Sequence, residues 1–306
     1  MVADMGLNSK EYLYTVAGHS YKIVLEGENN FSDNLFLSYK PFLSQDSNSG
    51  LLFSVSMKLE DLRNVDLHIT EHIGIFSGDH GTIKVCRYED GYHFECFVPG
   101  NEKNEELCAI LRTSMDFTES NAFITSFSRY SEYALTSCLM MLYAFTSSRY
   151  QTLLVHASAI MYENRGFIFL GKSGTGKSTH SRLWLDNITG TELLNDDNPI
   201  LRIIDGQVWV FGSPWSGKTP CYKNQSFPLE AIVRLWQRTD NSMKPLRPVE
   251  AMAALLPTAS CLPCVEEIQQ NVLGTVETII GKTAFYALFC RADKAAAMLC
   301  HKTIVR

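Results

Sequence analysis

The most constraining feature of this chain is a twenty-residue stretch in its second half, GFIFLGKSGTGKSTHSRLWL, residues 166–185. GFIFL is a short apolar run that reads as a buried strand. It leads directly into Gly171-Lys-Ser-Gly-Thr-Gly176-Lys177-Ser178, which matches GxxxxGK[ST] at every fixed position. THSRLWL continues with helical periodicity. Strand, glycine-rich loop and helix in that order form a phosphate site. Glycines at 171, 174 and 176 let the backbone curl so that successive N–H groups converge on phosphate oxygens. The helix that follows adds its unsatisfied N–H groups and positive dipole end. Lys177 has the length and charge to reach β- and γ-phosphates, and the Ser178 hydroxyl can complete a Mg²⁺ shell. The loop residues Gly171, Ser173, Gly174, Thr175, Gly176, Lys177, Ser178 and Thr179 are therefore the candidate nucleotide-binding set.

LLNDDNP, residues 193–199, ends an apolar strand with two adjacent carboxylates, Asp196 and Asp197. Neighbouring strand residues point to opposite faces, but at a strand terminus the chain can turn and both can reach one cleft. One carboxylate suits a Mg²⁺ shell and the other can take the proton of an attacking hydroxyl. Next comes ILRIIDGQVWVFG, residues 200–212, two β-runs joined by Asp205-Gly206, a strong hairpin signal. Doubly wound nucleotide-binding folds return through helices to a parallel sheet, so a tight hairpin here predicts a mixed sheet instead.

The remainder sets limits. With 306 residues, 45% hydrophobic, 20% charged and a net charge of −6, the chain is long enough for two domains. The acidic balance argues against a nucleic-acid binder. The N-terminal residues lack a secretory signal, and no run has the roughly 20 apolar residues of a membrane span, so a cytoplasmic protein is expected with no membrane partner. Nine scattered cysteines fit reduced thiols better than a disulfide frame. CLPC, with Cys261 and Cys264, has no second ligand pair for zinc. His68-Ile-Thr-Glu-His72 matches HxxEH, but VDLHITEHIGIF alternates like a strand, where positions four apart lie about 13 Å from each other.

Residues 1–148 read as a β-rich domain ending in a linking helix, and 149–306 as a catalytic domain. Strands are expected at 51–59, 81–98 and 121–127, with a hairpin at Asp90-Gly91 and a buried helix over 131–147. Residues 228–238 read as a core strand with Arg234 and Arg238 solvated, and 248–257 and 292–301 as amphipathic helices. Trp215 in GSPWSGK fits either a base-stacking or a loop-anchoring role. Lys218 in the same loop is a candidate cation for substrate.

Taken together, His156, the loop GKSGTGKST, the acidic pair in LLNDD and the hairpin ending in GSPWSGK resemble the catalytic domain of HPr serine kinase/phosphorylase. More broadly, residues 150–306 resemble the phosphoenolpyruvate carboxykinase-like P-loop group. The resemblance implies an α/β domain with a mixed sheet, α+β for the whole chain. It implies ATP or another nucleoside triphosphate with Mg²⁺, and phosphoryl transfer to a hydroxyl, serine above all, on a peptide, protein or metabolite. It also implies a homo-oligomer. His156 would sit beside the acidic pair, Asp196 would be the base, and Ser178 and Asp197 would hold metal; Lys177, His156, Asp196 and Asp197 form the implied catalytic set. The acidic-Arg-Gly signature of the HPr enzymes has no counterpart, and the N-terminal half does not resemble theirs. The alternatives are a nucleotide-binding regulator without turnover and carboxykinase chemistry on a small carboxylic acid.

Overall fold

The structure is a computed structural model that describes residues 9–27, 33–45, 50–66, 69–78, 81–99, 105–125, 130–217 and 219–305. The chain divides into two compact units, Met1–Thr146 and Ser147–Arg306.

The first unit is built on eight strands: β1 (Ser9–Val16), β2 (His19–Glu26), β3 (Leu51–Glu60), β4 (Glu71–Gly78), β5 (Gly81–Tyr88), β6 (Gly91–Pro99), β7 (Glu105–Ser114) and β8 (Glu119–Thr125). They form one mixed sheet in the order β1-β2-β3-β8-β7-β6-β5-β4, parallel at β2–β3 and β3–β8 and antiparallel elsewhere. Helix α1 (Ser131–Ser147) matches the buried helix read from its apolar residues. Its Tyr143 packs edge-on to Tyr21, which stacks on Phe53 at 4.8 Å, and its Phe145 meets Phe117 and Phe94. The Tyr143 hydroxyl donates to Val16 O at 3.1 Å, which satisfies its polar end inside an aromatic core.

The hairpin expected at Asp90-Gly91 is present, shifted by one residue. Tyr88 pairs with Gly91, so the two turn residues are Glu89 and Asp90, and Glu89 takes φ +45°. Gly91 is required for a different reason: a Cβ there would lie 1.8 Å from Thr113 O on the neighbouring strand. His72 lies on strand β4 beside Cys86, and its Nδ1 is 3.3 Å from the thiol. Its HxxEH companion His68 lies outside the described residues.

The second unit contains β9 (Thr152–Leu154), β10 (Ala157–Tyr162), β11 (Arg165–Leu170), α2 (Lys177–Asn187), β12 (Glu192–Asp197), β13 (Ile200–Ile204), β14 (Gln207–Phe211), β15 (Ser226–Gln237) and β16 (Ser242–Pro245). Then follow α3 (Pro248–Leu255), α4 (Glu266–Lys282), β17 (Ala284–Cys290) and α5 (Lys294–Ile304). Its sheet is mixed. β15 runs parallel to β11 and β17, while β10, β12, β13, β14 and β16 pair antiparallel with their neighbours. The Asp205-Gly206 hairpin forms as read, with φ of +49° and +78° at the two turn residues, the backbone that Asp-Gly favours. Trp184 on α2 is fully buried against Phe167 and Phe169 of β11, in a cluster with Val233, Leu288, Ala297 and Ile304. Burying side chains of this size contributes about 1.5–3 kcal/mol each, and this fixes the helix after the glycine loop against the sheet.

None of the nine cysteines is joined in a disulfide. Among the described residues no group of three His, Cys, Asp or Glu side chains could hold a metal ion, and no helix is long and apolar enough to cross a membrane.

Candidate active site at the phosphate-binding loop

Residues 171–176 connect β11 to α2, so the strand, loop and helix fall where the sequence places them. Gly174 and Gly176 have φ of +77° and +102°, backbone that suits glycine alone. A Cβ built on Gly174 would meet nothing within 4 Å, so what restricts this position is its backbone and not a neighbour. Gly176 caps α2 without a side-chain hydrogen bond. The first N–H groups of a helix have no intrahelical partner, and here no side chain of the cap residue takes them. Ser173, Gly174, Ser178 and Thr179 are exposed, and Gly171, Thr175 and Gly176 are half-buried. A glycine-rich loop leading into a helix N-terminus of this kind could receive an anion.

Lys177 behaves differently from its loop neighbours. It is buried, and its ammonium donates to Gly171 O and to His156 Nε2, both at 3.0 Å. Burial pulls its pKa below the ordinary lysine value, while Asp197 and then Asp196 pull the other way. An ammonium has donors only. His156 Nε2 must therefore accept, which leaves the ring proton on Nδ1, facing Asp197 Oδ1 at 3.1 Å. Lys177, His156 and Asp197 thus form a continuous chain of charge-assisted contacts. His156 lies at the bend between β9 and β10 rather than inside a strand, and its N–H is held by Thr258 O at 2.7 Å.

The two aspartates are presented in different ways. Asp196 pairs directly with Ser158 across β10 and β12, so the two side chains share a face. The Ser158 hydroxyl is 2.6 Å from that of Ser181 on α2, so this face is turned to the helix that follows the phosphate loop. Asp196 is only 5% exposed. Asp197 would point the other way on a regular strand, but its φ is +137°, a region that non-glycine residues rarely enter. That break in alternation accompanies the contact with His156. Asn198 Nδ2 also donates to Asp197 Oδ2 at 2.8 Å.

What holds Asp197 in this backbone is a set of residues that sequence reading missed. Asn195 is fully buried; its Oδ1 accepts from Asn198 N–H at 2.9 Å, and its Nδ2 donates to Ser213 Oγ and Trp215 O. Ser213 Oγ in turn donates to Asn198 O at 2.6 Å. Segment 213–217 is thereby stitched across the acidic pair, with Gly217 N–H donating to Asp196 O at 2.6 Å. Glycine at 217 eases that approach, since a Cβ there would sit a tight 3.1 Å from Asp197 Cβ. Trp215 is 1% exposed, which makes it the loop anchor and not a surface for stacking. Only the Asn in LLNDDN hinted at this network; its partners lie about twenty residues further on. Lys218 falls outside the described residues.

The donor set suits Mg²⁺, which takes one or two protein oxygens plus phosphate and water; Ser178 and a carboxylate of the pair are the residues that could hold it. Arg234, expected to be solvated, stacks on Trp236 at 4.5 Å and donates to Ala253 O.

No family model and no curated protein matches the chain. Among solved structures it is similar to the HPr(Ser) kinase/phosphatase from Coxiella burnetii, over 49% of this chain and 95% of that one, at 12% identity and a TM-score of 0.30, a likeness too slight to carry an argument about the site.

Proposed function

We propose that this chain is an ATP- and Mg²⁺-dependent phosphotransferase acting on a hydroxyl, serine foremost, of a peptide, protein or small metabolite. The observation that carries the reading is the Lys177–His156–Asp197 chain beside the buried Asp196, tied to the glycine loop through Gly171 O. When bound, Mg²⁺ and the nucleotide supply the transferable phosphoryl group and much of the charge neutralisation. The N–H groups of Gly174 and of residues 176–179, with the Lys177 ammonium, hold the phosphates and stabilise negative charge as it spreads in a loose transition state, while the Thr175 N–H closes the loop on Lys172 O.

Burial favours a division of labour between the aspartates that reverses the one expected from the family resemblance. Asp197, with its side chain about one-third exposed and oriented by His156, is open to an incoming hydroxyl and takes its proton. Asp196, buried on the face shared with Ser158, joins Ser178 in holding the metal. His156 keeps Nδ1 protonated toward Asp197 and so orients that carboxylate.

The test is transfer of labelled γ-phosphate, with Mg²⁺, to a panel of serine peptides, an HPr-like protein and free amino acids. Lys177→Ala and Asp197→Asn are expected to lower transfer about 10³-fold or more, of the order seen when electrostatic and acid–base groups are removed. Asp196→Asn is expected to raise the Mg²⁺ concentration needed for half-maximal rate. Nucleotide binding without transfer to any acceptor, unchanged by Asp197→Asn, would instead mark a regulator that senses the nucleotide.

A further inference from the structure

Beside the phosphate loop lies a second concavity that the proposed chemistry does not use. It is a cleft of about 240 Å³ whose lining includes Thr175, Gly176, Leu183, Leu235, Arg238 and Arg291. Its position follows from the topology. β11, β15 and β17 are three adjacent parallel strands, and the cleft sits where their carboxyl ends stop, at Leu170, Gln237 and Cys290. In open α/β sheets this is the edge at which ligands bind.

Three features suit the cleft to one part of a nucleotide. First, it shares Thr175 and Gly176 with the phosphate loop, so a ligand anchored by its phosphates there has its other end at the cleft. Second, its inner lining is mostly apolar, from Leu183, Leu235 and Cys290 beside the buried His180, while its rim carries two exposed guanidinium groups, Arg238 and Arg291, the latter paired with Asp293 at 3.1 Å. Planar guanidinium groups stack on flat π-systems. Third, the wall is fastened to the loop: Gln237 Nε2 lies 3.3 Å from Gly174 O and 3.4 Å from Thr175 O. Backbone contacts hold the rim as well, with Arg238 N–H donating to Cys290 O at 3.0 Å and Arg291 N–H to Asn241 Oδ1 at 2.9 Å.

The geometry points to this cleft as the site for the nucleoside end of the triphosphate, with the base against the mostly apolar inner lining and one or both arginines stacked over it. The inference rests on the phosphate-loop reading above and adds the prediction that the protein recognises more than a polyphosphate.

Binding of ATP and of inorganic tripolyphosphate, each with Mg²⁺ at about 0.15 M salt, separates the two ideas. Wild type is expected to bind ATP at least about tenfold more tightly than tripolyphosphate. Ala292→Trp, which fills the exposed rim of the cleft without changing charge, is expected to remove that preference while leaving tripolyphosphate within about twofold. The double variant Arg238→Ala/Arg291→Ala should reduce the same preference. Equal affinities in wild type, or a preference untouched by Ala292→Trp, would overturn the cleft assignment and leave the phosphate loop standing. Failure of both ligands to bind wild type would overturn the phosphate-loop reading together with it.

Discussion

In the first unit the interior is aromatic: Tyr21, Phe53, Phe94 and Phe117 are almost wholly buried, and their partners from α1 are Tyr143 and Phe145. The second unit has a comparable core around Trp184, but it also buries Lys177, Asp196, Asn195 and Ser213. The contrast is sharpest in the histidines. His93 in the first unit is fully buried, and neither ring nitrogen has a hydrogen-bond partner among the described residues. His156 in the second unit is half-buried and has a polar partner at both nitrogens. Buried polarity costs stability unless it is satisfied. A unit that gathers buried charge, satisfies it through a network and keeps a strained residue at its centre has departed from what folding alone favours, and such departures cluster at working sites.

Three changes test that contrast, the largest effect first. Trp184→Ala removes the side chain that seats α2 on the sheet and is expected to destabilise the protein by about 3–5 kcal/mol in denaturant unfolding. A loss below about 1 kcal/mol would mean that the loop helix is not held by this core. The second concerns the histidine whose ring makes no hydrogen bond. Burial, and next the Arg112 guanidinium, hold His93 down at about 4; Glu95 lies 3.8 Å from the ring and Tyr88 packs beside it. A folded pKa below the unfolded 6.5 means the neutral ring is favoured in the fold. Its contribution is complete above pH 6.5 and is lost as pH falls toward 4. The loss reaches about 2 kcal/mol by pH 5. His93→Phe should flatten the stability-versus-pH curve by that amount, and an unchanged curve would show the ring is not desolvated. The smallest effect is expected at Asp197. Asp197→Gly relieves the φ of +137° but adds glycine's unfolded-state entropy, so stability should shift by about 1 kcal/mol or less. Transfer activity should nevertheless fall at least about 100-fold. A large loss of stability would mean Asp197 serves the fold first.

How much of this was legible in the sequence depended on distance along the chain. The glycine loop, the acidic pair and the Asp205-Gly206 hairpin are local patterns with local causes, and the structure contains each of them. The turn between β10 and β11 was not legible. Glu163 and Asn164 both adopt positive φ, and glutamate carries no signal for that. Helix α4 also went unread, although its buried positions at 268, 272, 275, 276 and 279 follow helical spacing. At the site, the roles of Asn195, Ser213 and Gly217 depend on chain segments about twenty residues apart meeting, and Gln237 reaches the loop from more than sixty residues away. Pairings of that kind have no period to detect.

The twelve-residue strand β15 carries a consequence for how the chain can change over time. Its first residues pair with β14, its middle with β11 and β17 at once, and its last residue grips the phosphate loop. Removing or adding one residue near its centre would exchange its two faces beyond that point and pull Gln237 away from the loop carbonyls by about one residue's rise, roughly 3.3 Å. Insertions and deletions should therefore be absent from 226–237 in any working descendant, and length variation should collect at the exposed turn residues Thr239 and Asp240, between the two rim residues Arg238 and Asn241.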